Sequence, residues 1–206
     1  MIATFANQYN IRIRGILHVG ANDCLEHNDY IKVTDNIVWI EANPNIVNVV
    51  KLLKPNIRIY QNLITDKDGE VYEFKISNND GQSSSILDFN LHLKSHPSVF
   101  YIENIPMKST TIDNFIINNN IDTSDINALV LDIQGVELRA LKGGVSLLSH
   151  IDIIYTEVNI DDTYTGCDKL NDMDNFLSTF NFKRVNTHIF EGHTYGDALY
   201  IKNISI

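Results

Sequence analysis

Short apolar runs alternate with segments of helical periodicity along the first third of the chain. Buried β-strands are predicted at 15–20, 36–42 and 57–64, with helices between them at 25–33 and 43–54. The second helix has a start signal, because Asn43 precedes Pro44. Residues predicted for the buried sides of the two helices are Leu25, Tyr30, Ile31 and Val33, then Ile46, Val49, Val50 and Leu53. A β-α-β-α-β order at this spacing predicts a parallel sheet with right-handed crossovers.

The alternation changes in the middle of the chain and then resumes. A β-turn at Asp68-Gly69 leads into an extended edge segment that ends at residue 77, and residues 78–97 form a long polar loop. Strands are predicted at 99–110, 126–133 and 151–159, helices at 110–120, 135–148 and 170–180, and a closing antiparallel pair at 182–190 and 197–202. The Gly143-Gly144 pair predicts an end or a kink within the helix over 135–148.

Composition narrows the class of protein. A chain of 206 residues with 44% apolar content predicts one α/β domain, spanning 1–206, with a full core. A net charge of −10 argues against a nucleic-acid partner. No apolar run approaches the roughly 20 residues of a membrane span, and the N-terminus does not resemble a signal peptide.

Cysteine usage indicates a reducing compartment. Cys24 and Cys167 are too few and too far apart for a disulfide framework or a zinc knuckle, and we assign no metal site. We therefore expect a cytoplasmic protein, or one of the host cytoplasm if the source is a virus. The sequence leaves the oligomeric state open.

Polar side chains end every strand of the predicted parallel sheet. The strand ends carry Gly20, Glu41, Asn62, Asp132 and Glu157. In a doubly wound sheet, ligands bind beyond the carboxyl ends of the strands, so these residues are expected at one site.

The first two strand ends suggest a nucleoside ligand. Gly20 allows a close approach of the backbone, but the G-x-G-x-x-G pattern for a pyrophosphate is missing because Asn22 and Leu25 replace glycines. Glu41, 21 residues later, can accept both hydroxyls of a ribose. This pair suits an adenosine ligand without a diphosphate, of which S-adenosylmethionine (SAM) is the commonest. A plain turn at Gly20 and a solvated acid at Glu41 remain the alternatives.

Several motifs in order resemble one family. They are "HVGAN", "WIEANP", "ITDKDGE", "SSSIL", "TTID", "LVLDIQGVELRALKGG", "YTEVN" and "GDALYI", covering about residues 16–201. Together they resemble the FkbM-type SAM-dependent methyltransferases, and the most specific piece is the Asp-x-x-Gly-x-Glu-x-x-x-Leu-x-Gly pattern. The resemblance implies a class I, Rossmann-like α/β fold: a mostly parallel seven-stranded sheet with helices on both faces and a C-terminal antiparallel hairpin. It also implies methylation of a hydroxyl, often on a sugar.

The resemblance also implies roles for individual residues. Gly20, Ala21 and Asn22 would wrap the methionine part of SAM, Glu41 would hold the ribose, and Ala42 and Asn43 would lie near the adenine. The other residues implied at the cofactor are His18, Asn62, Ser84, Ser85, Asp132 and Gln134. Many family members have Asp where this chain has His18.

Methyl transfer to an alcohol calls for a general base. The candidates are Glu157, Asp132 and His96, and Glu157 is preferred because partial burial at a strand end would raise its pKa. The alternative for Glu157 is a structural carboxylate that pins the Asn159 loop. Tyr164 and Asp197 are further candidates for binding a small-molecule or glycan acceptor. An N-methyltransferase, or a silent SAM- or sugar-binding module, remains the alternative function.

Overall fold

The computed structural model describes residues 2–203, which form two sheets and eight helices. The strands are β1 Ile16–Val19, β2 Ile37–Glu41, β3 Ile59–Gln61, β4 Leu63–Ile64, β5 Val71–Ser77, β6 Tyr101–Thr110, β7 Ala128–Leu131, β8 Ile153–Asn159, β9 Phe182–Ile189 and β10 Tyr195–Lys202. The helices are α1 Ile2–Gln8, α2 His27–Tyr30, α3 Pro44–Leu53, α4 His92–Ser95, α5 Ile112–Asn118, α6 Glu137–Lys142, α7 Val145–Leu148 and α8 Leu170–Ser178.

The main sheet has seven strands in the order β3-β2-β1-β7-β8-β10-β9. The first five are parallel to one another, and β10 runs antiparallel to both β8 and β9. This arrangement confirms the predicted mostly parallel sheet with a closing antiparallel pair. The strand order reverses between β1 and β7, which is where a doubly wound sheet opens a crevice for ligands.

Buried side chains cover both faces of this sheet. Successive residues of β1 point to opposite sides, so Leu17 packs in one hydrophobic cluster with Phe115 of α5 and Leu177 of α8. Ile16 packs in the other cluster, which includes Val47 of α3. Helices therefore shield both faces, as a buried parallel sheet requires.

The strand predicted at 57–64 is in fact two strands in different sheets. The chain breaks at Asn62, whose backbone N–H donates to the carbonyl of Glu41 at 3.0 Å. After this break β4 joins a three-stranded sheet in the order β4-β6-β5, with β5 at its edge as predicted. The polar pair Gln61-Asn62 interrupts the apolar pattern at the point where the chain changes sheet.

The helix predicted at 25–33 is wrong in length. Only His27–Tyr30 is helical, and positive φ angles at Asn22 and Cys24 keep the preceding residues in a turn. Tyr30 is buried, but Leu25 is 71% exposed and Ile31 51% exposed, contrary to the predicted buried side.

The other helices follow their local signals more closely. In α3 the buried residues are Val47 and Val50, whereas Val49 and Leu53 are exposed, so the predicted face was rotated. The chain does break at Gly143-Gly144, which separates α6 from α7. Helix α1 was not predicted. No helix within residues 2–203 combines the length and apolarity needed to cross a membrane.

Candidate active site

A cavity of about 500 Å³ lies at the carboxyl ends of the parallel strands, where the strand order reverses. Predicted cofactor residues in its wall are His18, Gly20, Ala21, Asn22, Glu41, Ala42, Asn62, Ser84, Ser85, Asp132 and Gln134. All three candidate bases, Glu157, Asp132 and His96, line it as well. We call the part over β1 and β2 the cofactor end, and the part over β7, β8 and β10 the acceptor end.

Glu41 joins the turns that follow β1 and β2. Its Oε2 accepts the backbone N–H of Asn22 at 2.8 Å, and its Oε1 accepts that of Asn43 at 2.7 Å. The side chain is only 8% exposed, and burial raises its pKa although both backbone hydrogen bonds oppose the rise. A solvated strand-end acid is therefore excluded. A carboxylate offers about four lone-pair sites, so Glu41 can still accept bonds from a ligand in the cavity.

Gly20 is required by the protein itself. Its φ is +88°, and an added Cβ would lie 1.7 Å from the carbonyl oxygen of Asp132. The glycine thus permits β1 and β7 to end in close contact. Gly20 also lines the cavity, so its expected role at a ligand stays a prediction.

Asn43 has a structural task and does not line the cavity. It is buried, and its side-chain oxygen accepts the backbone N–H of Asn45 at 3.0 Å, which caps α3 at its N-terminus. Its predicted neighbours Ala42 and Asn62 do line the cavity. Asn43 is therefore explained by its role as the N-cap of α3, which the Asn43-Pro44 pair had already indicated.

The polar loop over 78–97 covers the cavity, as predicted. Ser84 Oγ accepts the backbone N–H of Ser77 at 3.1 Å, and Ser85 Oγ donates to the carbonyl of Gln134 at 2.8 Å. Ser83 Oγ lies 3.1 Å from Nε2 of His92. Ser84 therefore ties the loop to the end of β5, and Ser85 ties it to the turn after β7.

Gln134 bridges the two carboxylates of the acceptor end. It has a φ of 57°, and its side-chain nitrogen donates to Asp132 Oδ1 at 2.6 Å and to Glu157 Oε2 at 2.9 Å. Its side-chain oxygen accepts the hydroxyl of Tyr164, which is fully buried behind it and is not part of the cavity wall. Glu157 Oε1 is buried and has no hydrogen-bond partner among the described residues. The predicted alternative, a bond that pins Asn159, is not formed.

The two carboxylates share one electrostatic environment. Burial, followed by repulsion from Asp132, raises the pKa of Glu157 well above its usual range. Burial raises the pKa of Asp132 to about 6, although its side chain is open to the cavity. Repulsion between the two carboxylates favours a state in which only one of them is ionised.

Glu137 shapes the turn that carries Gln134, a role the sequence analysis missed. Its carboxylate accepts the backbone N–H groups of Ile133 at 2.9 Å and Gly135 at 3.1 Å. Gly135 has a φ of +101°, and an added Cβ would lie 2.9 Å from Cys167 Cβ. The Asp-x-x-Gly-x-Glu spacing was the available signal, because it sets a carboxylate beside two free N–H groups of the turn.

Histidine roles differ between the two ends. At the cofactor end, His18 is buried, stacks on Trp39 with ring centroids 4.8 Å apart, and has its Nδ1 3.2 Å from the hydroxyl of Tyr30. Burial lowers its pKa to about 3, so the ring is a neutral packing element. At the acceptor end, His96 Nε2 lies 2.9 Å from the hydroxyl of Tyr195.

The closing strand pair adds residues that the sequence analysis mostly overlooked. Phe190, Tyr195 and Asp197 line the acceptor end together with Tyr155 of β8, and of these only Asp197 was a candidate. Asp197 lies opposite Glu157 in the β10–β8 register and accepts the Tyr155 hydroxyl at 2.6 Å. Within residues 2–203, no group of three or more His, Cys, Asp or Glu side chains is arranged to hold a metal ion.

Comparison with known sequences identifies one family. The family model described as "Methyltransferase FkbM domain" matches residues 18–184. A similar curated protein is the 2-O-methyltransferase NoeI of Sinorhizobium fredii (strain NBRC 101917 / NGR234), 26% identical over 164 residues. That match covers 73% of this chain and spans 65% of the length of NoeI.

Solved structures with a similar fold include two methyltransferases. One is a SAM-dependent methyltransferase from Clostridium acetobutylicum ATCC 824, with a TM-score of 0.53, 6% identity, and coverage of 98% of this chain and 89% of that one. The other is magnesium protoporphyrin IX methyltransferase from Synechocystis PCC 6803, solved with bound SAM, with a TM-score of 0.52, 8% identity, and coverage of 98% and 76%. At such low identity these likenesses establish the fold alone, that of the class I methyltransferases.

Proposed function

Because this chain belongs to the FkbM methyltransferase family, we propose that it is a SAM-dependent O-methyltransferase acting on a hydroxyl of a sugar or glycan, with its two sheets forming one catalytic domain. The observation that carries this proposal is the carboxylate pair Asp132 and Glu157, bridged by Gln134 at the acceptor end of the cavity. The opposite end is bounded by Gly20 and Glu41.

The cofactor end fits the nucleoside and amino-acid parts of SAM. The whole cavity, at about 500 Å³, lies in the range of roughly 300–1,000 Å³ that small-molecule sites occupy. Glu41 is held rigidly by two backbone N–H groups, which leaves its remaining lone pairs aimed by the fold for ribose hydroxyls. Ala42 and Asn62 lie beside it, and Gly20, Ala21 and Asn22 form the adjoining backbone wall. Bound there, SAM supplies an electrophilic methyl group on a sulfonium centre.

We assign the general base to Asp132. A hydroxyl is a weak nucleophile at neutral pH, and a positioned base contributes roughly 10²–10⁴-fold to the rate. With a pKa of about 6 and a side chain open to the cavity, Asp132 is ionised at neutral pH and can accept the hydroxyl proton. This assignment replaces the sequence-based preference for Glu157.

Glu157 takes the role of positioning the acceptor. Burial and repulsion from Asp132 raise its pKa and favour its protonated form, and its Oε2 already accepts from Gln134. Because its Oε1 is buried, Glu157 acts on the acceptor through Gln134, whose side-chain amide also holds Asp132. A matched pair of carboxyl groups, one ionised and one protonated, suits an uncharged hydroxyl compound.

The activity for which the related NoeI is named supports transfer to oxygen. NoeI is named a 2-O-methyltransferase, and the match covers most of this chain. Because the match spans 65% of NoeI's length, the acceptor of this chain needs its own experiment.

The test is transfer of a labelled methyl group from SAM to a panel of mono- and oligosaccharides, with the product position mapped by mass spectrometry. Binding of the demethylated product, S-adenosylhomocysteine (SAH), is measured by calorimetry in parallel. We expect SAH to bind and a labelled O-methyl sugar to form, and the Asp132→Asn variant to bind SAH while losing most of the transfer.

Two results would contradict the proposal. SAH binding without transfer to any sugar would indicate a silent binding module. A labelled N-methyl product, formed equally well by Asp132→Asn, would indicate an N-methyltransferase that needs no base.

A further inference from the structure

The cavity wall is strongly acidic. Six carboxylate side chains line it: Asp23, Glu26, Glu41, Asp132, Glu157 and Asp197. Within residues 2–203, no Lys or Arg belongs to the wall. Lys54, which is outside the wall, donates to the backbone carbonyl of Asp23 at the cofactor end. A ligand group that enters the acceptor end therefore finds no permanent positive charge on the described protein wall.

The histidines in the wall do not supply this missing charge. Burial lowers the pKa of His18 to about 3 and that of His92 to about 4, and it lowers the pKa of His96 below its usual range. All three rings are therefore neutral at neutral pH.

Three of the carboxyl groups converge at the acceptor end. Asp197 faces Glu157 across the β10–β8 register, and Asp132 reaches Glu157 through the shared amide of Gln134. Burial raises the pKa of each of the three, and repulsion between them adds to the effect for Asp132 and Glu157. A phosphate group placed here would add negative charge to a region that already resists it.

The same end is well equipped for an uncharged polyol. The hydroxyl of Tyr155 donates to Oδ2 of Asp197 at 2.6 Å, and the hydroxyl of Tyr195 lies 2.9 Å from Nε2 of His96. The rings of Phe190 and Tyr195 meet edge to face, with centroids 5.5 Å apart, and give the wall an aromatic surface. Such a mixture of aromatic rings and convergent polar groups is typical of small-molecule sites that orient a neutral ligand.

From this arrangement we propose that the acceptor is an uncharged glycoside, and that phosphorylated and nucleotide-activated sugars are excluded by the acidic wall. The inference rests on the proposed methyl transfer to a sugar hydroxyl. It also places the reaction in a sequence. A glycosyl transfer must supply the acceptor before methylation: a hydroxyl oxygen forms the glycosidic bond and loses its proton, and the nucleoside diphosphate leaves.

The test offers one sugar in three forms: the methyl glycoside, the 1-phosphate, and the uridine-diphosphate sugar. We expect kcat/KM for the glycoside to exceed that of either anionic form by about tenfold or more, which corresponds to about 1.4 kcal/mol. Equal or faster methylation of an anionic form would overturn the inference while leaving the methyl transfer intact.

A pair of variants separates charge in the cavity from charge on the protein as a whole. Asp197→Asn removes one acidic group at the acceptor end, and Glu73→Gln removes one from an exposed position on β5. The ratio of kcat/KM for an anionic acceptor to kcat/KM for the neutral glycoside should rise severalfold in Asp197→Asn. It should stay at the wild-type value in Glu73→Gln. A ratio that moves equally in both variants would contradict the proposal.

A binding measurement covers the case in which no sugar form accepts a methyl group, a result that would refute the proposed function. Uridine diphosphate is titrated by calorimetry into protein saturated with SAH, which leaves only the acceptor end free in the cavity. We expect no saturable binding. Saturable binding would show that anions are accepted and would overturn the charge argument by itself.

Discussion

The two ends of the cavity are built in different ways. At the cofactor end, Glu41 holds backbone N–H groups of Asn22 and Asn43, so a side chain fixes main chain. At the acceptor end, Gln134 holds the side chains of Asp132 and Glu157, so side chains fix one another. One end is a rigid frame of turns; the other is a network with a buried oxygen that has no partner among the described residues.

This difference predicts how substitutions at the two ends will act. A frame of backbone contacts tolerates few substitutions, because a lost bond leaves a buried N–H group without a partner. A side-chain network can be altered one member at a time and can change its protonation state. We therefore expect substitutions at the cofactor end to affect folding and binding, and those at the acceptor end to affect the rate.

Gly20→Ala should have the largest effect. The new Cβ would collide with the carbonyl of Asp132 in a left-handed conformation, so the ends of β1 and β7 must separate. We expect loss of SAH binding and a clearly lower unfolding temperature. The control is Gly69→Ala, which has a similar φ of +76° but nothing within 4 Å of the added Cβ; it should cost only about 1 kcal/mol. Equal behaviour of the two variants would contradict the close-contact explanation.

Asp132→Asn should give the next largest effect. Removal of the base is expected to lower kcat by about 10²–10⁴-fold, with little change in the SAH dissociation constant. The matched variant Glu157→Gln keeps a hydrogen-bond donor in place of the protonated acid and should lose much less activity. A larger loss in Glu157→Gln would reverse the assignment of the base.

Glu41→Gln should weaken the binding of SAH. The amide can accept only one of the two backbone N–H groups, and its NH₂ group faces the other donor. Loss of one charge-assisted hydrogen bond costs about 1.5–3 kcal/mol, so SAH affinity should fall by roughly tenfold or more. Calorimetry measures this, and kcat at saturating SAM should change far less than in Asp132→Asn. An unchanged affinity would contradict the ribose-holding role.

The dependence of rate on pH should give the smallest effect. Since Asp132 must be ionised to act and its pKa is about 6, kcat should fall as the pH drops below 6 and level off above it. This fall of kcat at low pH should be absent from the residual activity of Asp132→Asn. A profile that rises through pH 8 instead would assign the ionising base to Glu157.

The raised pKa of Asp132 lowers the rate at low pH, but it increases the stability of the folded protein there. The folded state binds the Asp132 proton more tightly than the unfolded state does. Its contribution to the free energy of unfolding is therefore complete below the usual value of 3.8 and is lost as the pH rises through about 6. Thermal unfolding of wild type and Asp132→Asn across this range measures the difference.

Much of the fold could be predicted because its signals are local. Alternating apolar runs marked the parallel strands, Asn43 with Pro44 marked the start of α3, and Gly143-Gly144 marked the break between α6 and α7. Prediction failed where burial depends on distant partners. Leu25 and Ile31 have apolar side chains, yet no element within residues 2–203 covers them and they are exposed.

The sequence by itself determined the parallel sheet and the set of polar residues at its carboxyl edge, because strand periodicity and strand-end residues are properties of short segments. Only the tertiary structure decided which groups these residues contact. It brought a carbonyl of β7 against Gly20, set Asp197 of β10 opposite Glu157 of β8, and placed Gln134 between two carboxylates. Hydrogen bonds and pKa values depend on distances between atoms far apart in the chain, and those distances exist only after the strands have paired.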